Sequence, residues 1–392
     1  MIVMKFGGSS LATGERIKQV GEIIRCAREM GDELVVVCSA LGGVTDALIE
    51  LSVCAQNRDD GYLLQFDELC THHLTCAGEL LAGFPLSLAR AHVQREQQAL
   101  GEILRGLYLI GECTPRSRDL VMSFGERLCT FLVCERLKLV EPGAVMLDAR
   151  EVVKTNETFG NAHVKSEQTY QLIRKRFETP PPVCVVTGFI GSTARGETTT
   201  LGRGGSDYTA SLFGAALGAS KIQIWTDVDG VLSADPRLVE GALSILQMSY
   251  EEAMEMSHFG AKVIYPPTMF PARELGIPIV IKNTFNPDHP GTRIANTSVP
   301  NGPIKGISCI KDVALLRVSG SGMVGVTGTA GRMFQALASA SVNVMMITQG
   351  SSEHSICAVI LPEDQKRACV AIKEEFALQI LQRQIDEVSV EG

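Results

Sequence analysis

An α/β sandwich on a mostly parallel sheet, followed by a smaller ferredoxin-like α+β unit, is the fold class this sequence predicts. Three observations predict it. The chain opens strand–helix–strand, with "IVMKF", "GERIKQVGEIIRCAREM" and "ELVVVCSAL" in succession. Apolar β-branched runs then alternate with helical patterns. Beyond a turn-rich stretch, the order of elements changes to strand, helix, two strands, helix, strand.

The elements follow in order. "IVMKF" is apolar except for Lys5 and runs into the glycine turn "KFGGSS". Residues 60–140 are richer in helix and read as an insertion or lid. "VCVVTGFIG" (183–191), "KIQIWTDV" (221–228) and "PIVIKNTF" (278–285) are expected as buried strands, with "DYTASLFGAALGA" and "SYEEAMEMSHFGAKV" as helices between them. Prolines and glycines break any period over "NPDHPGTRIANTSVPNGPIKG" (286–306), which places a domain boundary there. Residues 1–295 form the first domain, 296–306 the linker and 307–392 the second domain. Within the second, strands are expected at 308–318, 342–349 and 355–361, helices at 323–341 and 363–376, and a last strand at "EVSV".

Composition excludes several function classes. With 392 residues, 45% of them hydrophobic, the chain can bury a full core in more than one domain. A net charge of −8 leaves no basic face for nucleic acid or an anionic membrane. Twelve cysteines are scattered with no C-x-x-C pair and no zinc spacing, as expected of reduced thiols filling a core. No cleavable leader and no membrane-length apolar run is evident, so a cytoplasmic protein is expected.

The chemistry concentrates at glycine turns. In "TLGRGGSDYTA" the glycines at 202, 204 and 205 strip side chains from the start of a helix near Ser206, whose free N–H groups favour an anion, and Arg203 adds a planar charged fork. A lone turn of this kind is more often a strand-to-helix connection that needs positive φ. The second turn, after Lys5, changes the balance: two such turns in one α/β domain suggest charged groups meeting at strand ends. A lysine inside an apolar strand is costly unless it faces a ligand or partner. No G-x-x-x-x-G-K-[ST] phosphate loop occurs.

As a set, "KFGGSS", "SALGGVTDAL", "SFGERL", "TLGRGGSDYTA", "WTDVDGVLSADPR" and "HFGAKVIYPPTM" closely resemble the aspartate kinases of the amino-acid-kinase family. The tail "SGSGMVGVTGTAGRMFQALASASVNVMMITQGSSEHSI" resembles their ACT regulatory unit, so the likeness covers nearly the whole chain. It implies the family's three-layer sandwich and transfer of the ATP γ-phosphoryl, with Mg²⁺, to the β-carboxylate of L-aspartate, the first step of lysine, threonine and methionine biosynthesis. An ionised carboxylate needs no general base, so such a site needs positioning and charge stabilisation more than a His or Ser triad. By resemblance, Lys5, Gly7 and Gly8 meet the phosphates and Asp207 holds the lysines in position. Thr45, Glu126, Arg203 and Ser206 bind aspartate, Glu126 meeting the ammonium and Arg203 a carboxylate. Thr226, Asp227, Arg237, Lys262 and Val263 match nucleotide-binding positions. "SFGE" is also a capping-box pattern, in which Glu126 only starts a helix.

The sequence departs from relatives at Leu232 and Tyr265, where some carry an aromatic residue and a histidine. One ACT unit is expected where relatives usually have two, with "EVSVEG" open to reading as the start of another. "MSHFGAKVIYPPT" and "ITQGSSE" resemble aspartate kinases fused to homoserine dehydrogenase. Effector contacts fall on Met323, Val324, Gly325, Asn343, Val344 and Gln349. A methionine at 345 lacks the charge that pairs with lysine, and Gln349 resembles the glutamine of threonine-responsive enzymes, so threonine is favoured over lysine, with ACT units pairing in a homodimer or higher oligomer. The alternatives are a non-catalytic amino-acid sensor and a kinase for another carboxylate such as glutamate.

Overall fold

The computed structural model describes residues 1–258, 264–298, 304–350 and 352–391. The chain divides into two compact units, Met1–Ser308 and Cys309–Gly392.

The first unit is built on an eight-stranded sheet. Its strands are β1 (Ile2–Phe6), β2 (Leu34–Cys38), β3 (Ala144–Leu147), β4 (Val183–Thr187), β7 (Lys221–Thr226), β8 (Gln247–Ser249), β9 (Ile279–Asn283) and β10 (Thr292–Ala295). A separate hairpin pairs β5 (Ile190–Ser192) with β6 (Thr198–Thr200). Sheet order is β3-β4-β2-β1-β7-β9-β10-β8; the first six run parallel, and β10 with β8 runs the other way. Side chains alternate across the sheet. Ile2, Met4 and Phe6 join one core, and Val3 joins the other. Lys5 therefore shares the face of Val3.

The core on the Met4 face is completed by α1 (Gly14–Glu29), α2 (Val44–Gln56), α3 (Tyr62–Leu80), α4 (Gly83–Ile110) and α5 (Pro115–Lys138). The stretch 60–140 is therefore not a lid. Leu69, Ala77, Val93, Leu100 and Leu128 are buried with Phe6 and Val36 in one continuous core, so these helices form a full layer of the sandwich. The opposite face is covered by α6 (Ser166–Arg176), α7 (Gly205–Leu217), α8 (Tyr250–His258) and α9 (Phe270–Glu274), through residues such as Ile173, Phe213, Tyr250 and Ala272.

The second unit holds β11 (Ala314–Ser319), α10 (Thr329–Ser339), β12 (Met346–Gln349), β13 (Ser355–Ile360), α11 (Gln365–Glu375), α12 (Ala377–Leu381) and β14 (Glu387–Glu391). Its antiparallel sheet has the order β12-β13-β11-β14, the ferredoxin-like arrangement. "EVSVE" completes this sheet: Val388 and Val390 face Val318 and Leu316 across the ladder. The first strand starts later than expected, at Ala314, and the helix expected from 323 begins at Thr329, because Ser321–Met323 form a 3₁₀ turn and Gly325 and Gly328 take positive φ. Among the described residues, no helix is long and apolar enough to cross a membrane.

Candidate active site

At the carboxyl ends of β1, β2 and β4 lies a cavity of about 540 Å³. Lys5, Gly8, Ser39, Thr45 and Glu126 line it, together with the turn from Gly202 to Ser206. Three chain segments turn towards it for local reasons. After β1, Gly8 opens a 3₁₀ turn so close to the β2 loop that a Cβ would sit 3.3 Å from the Ala40 carbonyl. After β2, Gly43 in the left-handed region starts α2. After β6, Gly202 and Gly204 both take φ near 71°, and Gly204 starts α7. The N-termini of α2 and α7 thus open on one cavity, each with unsatisfied backbone donors and the positive end of its dipole.

Lys5 reaches this end of the sheet on the Val3 face, which α7 covers. Its Nζ pairs with Asp207 Oδ1 at 2.6 Å, and both side chains are largely buried. Asp207 lies in the first turn of α7, where a carboxylate complements the helix dipole while fixing the lysine. A Cβ on Gly7 would lie 3.6 Å from the same Nζ, in ordinary van der Waals contact with it. Arg203 is exposed, and its guanidinium carbon sits 5.6 Å from the centre of the Tyr265 ring. The departure at 265 therefore supplies a cation–π support for the arginine.

Glu126 is the unusual acid of the site. It is 3% exposed, one oxygen accepts the Ala40 N–H at 3.2 Å, and the other has no protein partner among the described residues. Burial pushes its carboxyl up to about 8, and the Ala40 hydrogen bond offsets this only in part. The capping-box reading fails. α5 starts at Pro115, Thr114 caps it by accepting the Ser117 N–H, and Ser123 lies mid-helix with its hydroxyl on the Leu120 carbonyl. A buried acid with a free oxygen is suited to a cation brought by a ligand.

Other expected positions gather elsewhere. Thr226 ends β7, the neighbour of β1; its hydroxyl donates to Asp227 at 3.1 Å, and the Trp225 carbonyl before it accepts the Gly7 N–H at 3.2 Å. Arg237 is exposed and paired with Asp235 at 2.8 Å. Thr226, Asp227 and Arg237 do not line the cavity of Lys5; Lys262 and Val263 lie outside the described residues. Sequence reading missed Ser39, Met122, Gly160 and Phe189 on the cavity wall. Ser39, Met122 and Phe189 carry no charged group to draw attention, and Gly160 reads as an ordinary turn glycine.

In the small unit, Met323, Gly325 and Gln349 line a cavity of about 330 Å³ together with Gly328, Glu353 and Ile356. Val324, 47% exposed, and Asn343 and Val344, which precede β12, do not line it. Glu353 accepts the Gly325 N–H at 2.9 Å.

Comparison with known proteins matches residues 1–283 to the model of the amino acid kinase family and residues 316–376 to an ACT domain. The chain is 37% identical over 398 residues to the chloroplastic bifunctional aspartokinase/homoserine dehydrogenase 1 of Zea mays, covering 99% of this chain but only 43% of that protein. It is 34% identical over 396 residues to chloroplastic aspartokinase 3 of Arabidopsis thaliana, covering 98% of this chain and 67% of that one. Among solved structures, aspartokinase III of E. coli in complex with aspartate and ADP is 29% identical, with a TM-score of 0.78 over 100% of this chain and 85% of that one. The same enzyme with lysine and aspartate gives 0.79.

Proposed function

From a chain that belongs to the amino acid kinase family, among its aspartokinases, and that carries an ACT domain behind the kinase fold, we propose an enzyme that transfers the γ-phosphoryl of ATP to the β-carboxylate of L-aspartate. In this reading residues 1–295 catalyse and 307–392 sense an amino acid. The observation that carries it is the single cavity uniting the Lys5–Asp207 pair, two helix N-termini, Arg203 and the half-satisfied acid Glu126.

Each group has a task. The Glu126 carboxylate takes the aspartate ammonium, and Arg203 takes a carboxylate through its two-pronged donor face, with Thr45 and Ser206 beside them at the helix starts. The β-carboxylate oxygen attacks the γ-phosphorus, its bond to the bridging oxygen of ADP breaks, and no proton has to move. Lys5 and the Gly7–Gly8 backbone stabilise charge on the transferring group, while Asp207 keeps the lysine in line. Thr226, at the end of the strand beside β1, and Asp227, Arg237, Lys262 and Val263 serve the nucleotide. No cluster of three or more His, Cys, Asp or Glu suited to a metal occurs among the described residues. In this reading Mg²⁺ arrives held mainly by the nucleotide's phosphates and water.

The cavity of the small unit is proposed to take an amino-acid effector, with units pairing in a homodimer or larger oligomer. Gln349 on its wall favours threonine over lysine through a hydroxyl contact.

Incubation with ATP, Mg²⁺ and a panel of aspartate, glutamate and acetylglutamate, with hydroxylamine trapping of the acyl phosphate, tests the reaction. Hydroxamate from aspartate above the others is expected; none from any acceptor would leave the sensor alternative. Threonine and lysine titrated separately into the assay, alongside sedimentation, test the regulation, and inhibition by lysine alone would reverse the preference.

A further inference from the structure

Asp119 is 1% exposed and lies on α5, seven residues and thus roughly 10 Å of helix before Glu126. Met122 and Glu126, on the same side of α5, line the cavity; Asp119 does not. Its Oδ2 accepts the N–H groups of Gly160 and Thr200, each at 2.9 Å, and its Oδ1 accepts the Thr200 hydroxyl at 2.8 Å.

Those donors belong to two loops of the cavity wall. Gly160 lines the cavity itself. Thr200 ends β6, two residues before Gly202 and three before Arg203. The loops are also fastened to each other: the Ala162 N–H donates to the Thr200 carbonyl at 2.9 Å, and a Cβ on Gly202 would fall 2.4 Å from Asn161 Oδ1. Arg203 has no carboxylate partner among the described residues, so its place depends on the backbone that Asp119 holds and on the Tyr265 ring. A buried carboxylate costs stability unless its oxygens are satisfied. Here three donors satisfy it, two from Thr200, which leads into the turn of the arginine, and one from the neighbouring Gly160 loop.

We propose that Asp119 is a positioning residue that sets the span between Glu126 and Arg203, and through it selects the acceptor's chain length, aspartate over the one-carbon-longer glutamate. This rests on the reading of the cavity as the aspartate site. α5 is the common strut: its Glu126 end meets the ammonium, and its Asp119 end fixes the loop whose arginine meets the carboxylate. If the strut loosens, both acceptor contacts can no longer be optimal together, while the nucleotide contacts, at the ends of β1 and β7, are untouched.

The test compares Asp119→Ala, Asp119→Asn and Thr200→Val in the full chain, measuring kcat and KM for aspartate, glutamate and ATP together with melting temperature. Asp119→Ala is expected to raise KM for aspartate about tenfold or more, leave KM for ATP within about twofold, and narrow the aspartate-to-glutamate ratio of kcat/KM. Asp119→Asn keeps an oxygen acceptor for the Thr200 amide and recovers part of the loss, which keeps the test open if the alanine variant does not fold. Thr200→Val removes only the hydroxyl donor and gives the smallest change in the same direction. A fall in melting temperature with KM for both substrates and the acceptor ratio unchanged would make Asp119 merely structural and overturn the proposal. A wild-type protein inactive on aspartate would remove the underlying reading first, and this inference with it.

Discussion

Two cavities in this molecule stand at glycine turns that lead into helices, and they are furnished differently. In the first unit, the starts of α2 and α7 meet Lys5, held by Asp207, and Arg203, resting on an aromatic ring, opposite a buried acid with an unused oxygen. In the second unit, the turn before α10 already satisfies one of its own donors, because Glu353 accepts the Gly325 N–H. The first cavity holds charges fixed in advance by partners outside it, which suits a transition state. A ligand carboxylate at Gly325 in the second has to displace an exposed side chain, which suits reversible sensing at modest cost. Similar glycine spacing therefore says little about a pocket's task; the ionised groups around it decide.

The sharpest way to break this contrast is Lys5→Ala. It should lower kcat about a hundredfold or more with the fold retained, measured by coupled assay beside circular dichroism; activity within tenfold of wild type would show that the first cavity does not depend on its fixed cation. Arg203→Lys keeps the charge but loses the planar fork and the ring contact. It should raise KM for aspartate about tenfold and KM for ATP much less; equal rises would move the arginine to the nucleotide side.

The buried acid of the first cavity gives a pH signature. The Glu126 carboxyl binds its proton more tightly folded, at about 8, than at its ordinary 4.5. Its contribution to stability is therefore fully present below 4.5 and is lost as pH rises through 8. Glu126→Gln should thus lose less melting temperature than wild type between about pH 5 and about pH 9. KM for aspartate should fall as pH rises towards that range, since the ammonium needs the ionised acid, and the Gln variant should flatten the profile. The smallest effect is expected at Glu353→Ala, which frees the Gly325 amide: the half-inhibiting concentration of threonine should drop about two- to fivefold, the scale of one exposed hydrogen bond. A rise for lysine instead would make Glu353 an effector contact.

Much of this architecture was legible because it obeys simple periods. The alternation in "IVMKF" puts Lys5 on the face that α7 covers, and the glycines of "LGRGG" mark the turn that starts α7. What escaped has physical reasons. β3, β8 and β10 are three or four residues long, too short to show a period, and gain their identity from strands far away in sequence. The helices from 60 to 140 looked detachable because an amphipathic pattern reports that one face is buried, not what buries it. "SFGE" resembled a helix start, but the real cap, Thr114, lies nine residues before Ser123 and makes Glu126 a mid-helix acid facing a cavity. Asp119 stayed unseen because its partners, Gly160 and Thr200, are 41 and 81 residues away.

β1 lies inside the sheet, with β2 and β7 laddered along both its edges and a hydrophobic layer on each face. A strand so enclosed exchanges its amide hydrogens only when most of the unit opens. The backbone beneath Lys5 therefore belongs to the slowest-exchanging part of the chain, whereas Arg203 sits on a surface turn. On gentle heating, acceptor selection should soften while the lysine remains in place, and turnover should cease only when the whole first unit melts.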